Sequence, residues 1–174
     1  MAKVPTLGGP RSGRSLAAVV GAVAAAGLIS LTGGSEGVSL TPYSDGLAGQ
    51  LDTVCFGETH VEMRRYTLQE CKGMLSDSLA GYAEAVRSIT PGFDTLTDGQ
   101  KVAAVDFAYN GGVNLYAASS MRRRYIARDF PRACEAYLEY RYTNHGKIDC
   151  AIGANKCGGI MRRRQRERAA CLGE

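Results

Sequence analysis

Residues 36–59 read EGVSLTPYSDGLAGQLDTVCFGET, and this segment says more about the architecture than any other in the chain. Residues 43–46 and 51–56 form short β-prone runs around a glycine-containing turn, which predicts a small hairpin. Beyond the hairpin, apolar residues recur at helical spacing, beginning with the capping box in residues 67–70. A short hairpin followed by several helices predicts an α+β fold.

The segment before the hairpin, residues 15–35, contains no charged residue and consists mainly of Ala, Gly, Val and Leu. Three basic residues and no acidic residue precede it: Lys3, Arg11 and Arg14. A basic flank followed by an apolar stretch is typical of an export signal, and the segment is just long enough to span a bilayer as a helix. We therefore predict an N-terminal signal-anchor in residues 1–35 and one folded domain in residues 36–174. Cleavage as a signal peptide, near Ala24, is the alternative.

Positive charge is concentrated in the last third of the chain. Residues 36–120 contain 5 basic and 11 acidic residues, whereas residues 121–174 contain 13 basic and 6 acidic residues. Such an asymmetry points to an anionic partner. Nucleic acid would require aromatic partners or a known binding module, and neither is evident, so we predict no nucleic-acid partner. The arginine runs 122–124 and 162–168 predict solvated helix faces.

The chain contains six cysteines, all of which follow the apolar segment: Cys55, Cys71, Cys134, Cys150, Cys157 and Cys171. An even number downstream of an export signal predicts disulfides formed in an oxidising compartment. Of the many possible pairings we favour Cys55–Cys71, Cys134–Cys171 and Cys150–Cys157, the last of which closes a short local loop. A zinc site is the alternative, but the sequence has no pair of cysteines at zinc-finger spacing, and we predict no metal and no cofactor.

Two carboxylates and a hydroxyl lie around the predicted hairpin. Glu36 ends the predicted helix, Asp45 begins the hairpin nine positions later, and Thr53 lies on the next strand. Cleavage of a glycosidic bond requires one protonated carboxyl group and one ionised carboxylate. A helix-end glutamic acid among apolar neighbours favours its protonated form, whereas an aspartate in a polar hairpin keeps its charge. The hydroxyl can hold the attacking water.

The same residues resemble the signature of a known family. The Glu-x8-Asp spacing, followed by Thr-Val-Cys-(aromatic)-Gly-x-Thr in residues 53–59, resembles the phage lysozyme family, whose members are muramidases. Residues 108–112 resemble the Asn-x-Gly segment in the middle of the family's chains, and residues 159–172 resemble its arginine-rich C-terminal helix. The resemblance covers roughly residues 36–172, which is nearly the whole predicted domain.

The resemblance implies an endolysin that hydrolyses the β-1,4 bond between N-acetylmuramic acid and N-acetylglucosamine in bacterial peptidoglycan, and so lyses the host cell. It makes Glu36 the general acid, Asp45 the second carboxylate and Thr53 the residue that positions the water. It also places Tyr109 and Asn110 near the sugar cleft as substrate-binding residues. We expect a monomer whose partner is the peptidoglycan glycan strand.

Two features depart from the family's pattern. Seven residues, 46–52, separate Asp45 from Thr53, which makes the turn longer than is usual in the family. Asp52 thereby becomes a possible substitute for Asp45 as the second carboxylate. The histidine that usually precedes the last threonine of the signature is Glu58 in this chain.

The family's fold has a helix that leads directly into the catalytic glutamate. Here only residues 26–34, at the end of the apolar segment, can supply that helix, so we expect the segment to stay attached. This arrangement resembles the signal-anchor-release endolysins, which are inactive at the membrane until collapse of the membrane potential frees them. We expect tethering through residues 15–35, at the periplasmic side of the inner membrane, to hold Glu36 away from Asp45. Release into the periplasm then assembles the site, and no disulfide switch is predicted because the segment contains no cysteine.

Other functions are open at this point. A lytic transglycosylase breaks the same bond with one acid/base glutamate and leaves anhydro-sugars, so that Asp45 would be dispensable. A non-catalytic, disulfide-linked wall-binding protein would act on permeabilised cells equally well with or without Glu36. A cationic membrane-damaging protein would likewise kill cells after loss of Glu36.

Overall fold

The computed structural model describes residues 12–45, 51–59, 61–143 and 146–174. Within these ranges the α-helices are α1 (Leu16–Val20), α2 (Ala22–Glu36), α3 (Leu68–Ile89), α4 (Asp98–Gly111), α5 (Val113–Ala117), α6 (Ser120–Ile126), α7 (Phe130–Glu135) and α8 (Gly158–Leu172). Two antiparallel strand pairs are formed by β1 (Ser39–Asp45) with β2 (Leu51–Cys55) and by β3 (Tyr142–Thr143) with β4 (Ile148–Asp149). Short 3-10 turns occupy Phe93–Thr95, Ala136–Tyr140 and Gly153–Asn155. The predicted α+β fold is confirmed.

Helix α4 lies at the centre of the domain, because α2, α3 and α8 all pack against it. Its sequence spacing predicts one apolar face that contains Val102, Val105 and Tyr109. The structure instead buries every residue from Val102 to Tyr109. A helix that other helices cover on several sides is buried on all of its faces. The apolar periodicity of its sequence predicts only the most apolar of those faces.

Helices α1 and α2 are formed by the apolar N-terminal segment and pack onto the rest of the chain. Several of their side chains are buried within the common hydrophobic core: Leu16, Val19, Val20, Ala24 and Leu28. Helix α1 contacts α3, and α2 contacts both α3 and α4. A Cβ added at Gly27 would lie 3.1 Å from Val102 Cγ2, so the missing side chain at Gly27 lets α2 approach α4 closely. Within the described ranges, no helix is both long enough and apolar enough to cross a membrane.

Strands β1 and β2 form the predicted hairpin. Tyr43 pairs with Thr53, Ser44 with Asp52, and Asp45 with Leu51. The register shifts between Ser39 and Tyr43, around Pro42, which has no backbone N–H to donate to the ladder. The hairpin begins three residues after α2 ends, so its position follows directly from that of α2.

Three disulfides join the cysteines in the predicted pairs, Cys55–Cys71, Cys134–Cys171 and Cys150–Cys157. The first ties the hairpin to α3, the second ties α7 to α8, and the third closes the loop before α8. Each cross-link restricts the unfolded chain, which typically contributes about 2–4 kcal/mol to stability. Since all six cysteines are oxidised, none can serve as a thiolate ligand for zinc. Among the described residues, no group of three or more His, Cys, Asp or Glu side chains could hold a metal ion.

Helix α3 begins with the predicted capping box. The hydroxyl of Thr67 accepts a hydrogen bond from the backbone N–H of Glu70, whose carboxylate accepts one from the backbone N–H of Thr67. Arg64 adds an ion pair to the same carboxylate at 2.8 Å. These interactions lower the pKa of Glu70 from its ordinary value of 4.5 to about 2, chiefly through the backbone hydrogen bond from Thr67 and then through Arg64.

We expect a Glu70→Gln substitution to destabilise the protein at neutral pH and to have little effect near pH 2. The pKa of this carboxyl is lower in the folded chain than in the unfolded chain, so its contribution is complete above about pH 4.5 and disappears as the pH falls towards 2. Urea unfolding of both proteins at pH 7, 5, 3.5 and 2.5 measures the difference. The matched control is Gln100→Ala in the capping box of α4. Because the side chain of Gln100 is uncharged, its removal should lower the free energy of unfolding by the same amount at each pH. An unchanged difference for Glu70→Gln across this range would contradict the assignment.

Candidate active site

Glu36 is the last residue of α2, and Gly37 follows it with a positive φ of 72°. The carboxyl end of a helix carries partial negative charge, which disfavours a second negative charge nearby. The side chains of Glu36 and Asp45 lie outside the described residues, and their backbone positions are what the fold defines.

The hairpin register places the other predicted catalytic residues. Side chains alternate between the two faces of a strand, so positions 43, 45, 51 and 53 belong to one face and positions 44 and 52 to the other. Asp45 and Thr53 therefore occupy positions on the same face, in register pairs that are separated by the Ser44–Asp52 pair. Thr53 is buried, with 4% of its surface exposed. Asp52 pairs with Ser44 on the opposite face and is exposed, so it does not share a face with Thr53.

The two predicted substrate-binding residues lie at the end of α4 and differ in their surroundings. Tyr109 is buried and packs edge-to-face against Tyr82, with ring centroids 5.2 Å apart. Asn110 is exposed, and its Oδ1 accepts a hydrogen bond from Arg164 Nη2 at 3.1 Å. Asn110 thus connects the end of α4 to α8, while Tyr109 connects α4 to α3.

The C-terminal arginine run departs from its prediction. Residues 162–168 were expected to form a solvated helix face, but Arg163 and Arg164 are buried, with 8% and 3% of their surface exposed. Helix α8 packs along α4 and turns these two side chains inward, where Arg164 stacks over the ring of Phe107 at 4.4 Å. A guanidinium can be buried in this way because it stacks on aromatic rings and pairs with carboxylates.

A buried polar cluster lies between α2, α4 and α8 and was not predicted from the sequence. We call it the interhelix polar cluster, and its members are Thr32, Asp106, Arg163, Arg164 and Glu167. Its sequence signals are weak: Thr32 is one of several hydroxyl residues in the apolar segment, and Asp106 is a single aspartate in the run VAAVDFAY, residues 102–109. Neither signal shows that the two residues are in contact.

The electrostatics of the interhelix polar cluster are dominated by burial. Burial raises the pKa of Glu167 well above its ordinary value, and the guanidinium of Arg164, 2.7 Å from Glu167 Oε1, opposes that shift. Arg163 Nε lies 3.9 Å from Asp106 Oδ2. The cluster therefore balances carboxyl groups against guanidinium groups where little water can enter.

The helices packed around α4, with a hairpin that follows α2, define a lysozyme-like α+β fold. The structure is similar to the muramidase domain of SpmX from Asticaccaulis excentricus, with a TM-score of 0.68 and 24% identity over 84% of this chain and 95% of that chain. It is also similar to the active form of the P1 phage endolysin Lyz, with a TM-score of 0.67 and 19% identity over 95% of this chain and 97% of that chain.

The sequence comparisons agree with the fold. The chain is 31% identical over 166 residues to the SAR-endolysin of Bacteriophage PS34, covering 90% of this chain and 91% of that protein. It is 31% identical over 174 residues to the SAR-endolysin of Enterobacteria phage PA-2, covering 94% of this chain and 96% of that protein. The phage lysozyme family model matches residues 33–167, and the chain belongs to this family. It is accordingly an endolysin, a glycoside hydrolase of the lysozyme type that acts on the bacterial cell wall.

Proposed function

We propose that Glu36, Asp45 and Thr53 hydrolyse the β-1,4 bond between N-acetylmuramic acid and N-acetylglucosamine in peptidoglycan strands. One observation carries this proposal. Helix α2 ends at Glu36, the hairpin starts three residues later, and its register puts Asp45 and Thr53 on the same face. A proton donor, a carboxylate and a hydroxyl are thereby presented from consecutive segments of the chain.

Each group has a distinct task in this reaction. Glu36 gives its proton to the bridging oxygen of the leaving sugar. Asp45 remains ionised and stabilises the positive charge that develops on the sugar ring. The hydroxyl of Thr53 holds the water that attacks the sugar carbon. The protein acts as a monomer on the glycan strand and needs no cofactor for this chemistry.

The products of digestion test the reaction type. Hydrolysis adds water across the bond, so mass spectrometry of digested sacculi should show muropeptides with reducing muramic ends. A lytic transglycosylase would leave 1,6-anhydromuramic ends, which are lighter by one water. Anhydro products from the wild-type chain would overturn the hydrolytic mechanism proposed here.

We expect Asp45→Asn to lower the rate of sacculus hydrolysis by about 10²-fold, because it removes a negative charge that stabilises the transition state. The matched control is Asp52→Asn, which makes the same change on the opposite face of the hairpin and should keep the rate within about twofold. The release of reducing ends from purified sacculi measures the hydrolysis rates of both variants. The reverse result, with Asp52→Asn inactive and Asp45→Asn active, would assign the second carboxylate to Asp52.

We further propose that residues 15–35 tether the newly exported enzyme to the inner membrane and then leave it. Two observations support this: the segment carries no charge, and SAR-endolysins are among the relatives with which the chain aligns over most of its length. In the folded enzyme the same segment forms α1 and α2, which pack against α3 and α4. N-terminal sequencing of the active periplasmic protein tests the idea, since an intact segment is expected and a terminus near residue 25 would indicate cleavage instead.

A further inference from the structure

A buried side-chain hydrogen bond joins α2 to α4 at the centre of the domain. The hydroxyl of Thr32 donates to Asp106 Oδ1 at 2.6 Å, and both residues are fully buried. Thr32 lies in α2, one helical turn before Glu36, and Asp106 lies in the middle of α4. Among the side chains described in α2, at positions 22–34, Thr32 is the buried polar one.

Asp106 is held from the opposite side by α8. Its second oxygen faces Arg163 at 3.9 Å, and the neighbouring Arg164 links Glu167 to Asn110 at 2.7 and 3.1 Å. A buried carboxylate that loses a partner is costly, because no water replaces the lost hydrogen bond. The interhelix polar cluster therefore presents α2 with an acceptor at a fixed position and direction.

The remaining contacts of α2 are less directional. Its other described buried residues are Ala24, Ala25 and Leu28, whose contacts are apolar and carry no preferred direction. A hydrogen bond, in contrast, weakens steeply with distance and angle. The hydrogen bond of Thr32 therefore adds a directional constraint on the rotation and axial position of α2 to the packing of its apolar side chains.

We propose that Thr32 and Asp106 are positioning residues for catalysis, which fix the orientation of docked α2 and so place Glu36 over the hairpin. The inference rests on the proposed role of Glu36 as the acid. Positions 32 and 36 are four residues apart, on adjacent turns of the same side of α2, so a rotation at Thr32 is transmitted directly to Glu36.

The choice of threonine also fits a segment that first enters a membrane. A charged donor at position 32 would oppose insertion into the bilayer, whereas a threonine hydroxyl can bond a carbonyl of its own helix there. Its partner, Asp106, lies outside residues 15–35, in the domain that the proposed tethering places in the periplasm. The donor and acceptor can therefore meet only in the released enzyme, where their hydrogen bond selects one docked orientation.

Three variants of the purified full-length chain test the proposal on solubilised glycan strands. Thr32→Val keeps the shape of the side chain and removes the donor, and we expect kcat to fall about tenfold with KM within about twofold. Thr32→Ser restores the hydroxyl and should return kcat to within about threefold of wild type. Thr90→Val is the matched control, because it removes another buried threonine hydroxyl, which bonds the Tyr116 hydroxyl of α5 at 3.0 Å. It should lower Tm to a similar extent and leave kcat unchanged.

Hydrogen exchange gives a readout that does not depend on activity. Thr32→Val should speed exchange of the amides of α2 selectively, and Thr90→Val should not. Full kcat in Thr32→Val, while Glu36→Gln is inactive, would overturn the positioning role and leave the proposed function intact. An equal loss of kcat in Thr90→Val would also overturn it, because the effect would then be a general loss of packing. Full activity of Glu36→Gln would instead refute the proposed function itself.

Discussion

Glu36→Gln is expected to lower hydrolysis of purified sacculi by about 10³-fold, which is the typical contribution of a general acid. The glutamine has nearly the same size and can still accept hydrogen bonds, but it has no proton to give to the leaving oxygen. The loss should therefore appear in kcat, with little change in KM and little change in Tm. Release of reducing ends, measured over a pH series, reports the rate.

Glu62→Gln is the matched control for this substitution. Glu62 is highly exposed and makes a long surface ion pair with Arg64 at 3.7 Å, so its loss should change neither rate nor stability appreciably. Equal clearing of permeabilised cells by Glu36→Gln and wild type would show that the chain acts on cells without this acid, as a wall-binding or membrane-damaging protein would.

Gly99→Ala is expected to cause a large loss of stability through one added methyl group. A Cβ added at Gly99, in the first turn of α4, would overlap the backbone carbonyl oxygen of Ala170 in α8. A backbone carbonyl in a helix cannot rotate away, so the two helices must separate. We expect a cost of about 3 kcal/mol, which lowers the Tm of a chain of this size by about 10 °C.

The matched control for this loss is Gly73→Ala in α3, where an added Cβ meets nothing within 4 Å. Alanine favours the helix over glycine, so this variant should gain about 0.5–1 kcal/mol. Thermal unfolding followed by circular dichroism, at neutral pH with the disulfides intact, compares the two. If Gly99→Ala has the same Tm as wild type, then α4 and α8 are not packed as closely as in the structure.

Local signals predicted much of the architecture. The capping box of α3, the hairpin over residues 43–56 and the α+β class were each readable from residues that lie within a few positions of one another. Such features depend on short-range backbone chemistry, namely which residues cap a helix, favour a strand or turn the chain. The disulfide pairs match the favoured pairing, but Cys134 and Cys171 are 37 residues apart and are brought together only by the packing of α7 against α8.

The burial and contacts of Thr32, Asp106, Arg163 and Arg164 could not be predicted in the same way. Thr32 and Asp106 are 74 residues apart, and nothing in the sequence around either residue indicates their contact, which forms only when α2 packs against α4. The arginines look like a solvated face until α8 turns them inward. The order of the amino acids was enough to predict the helices, the hairpin and the positions of the carboxylates Glu36 and Asp45 between them, because those patterns are local. The packing of the helices determined which polar side chains are buried together. Burial depends on neighbours that come from distant parts of the chain, so it cannot be predicted from a local pattern.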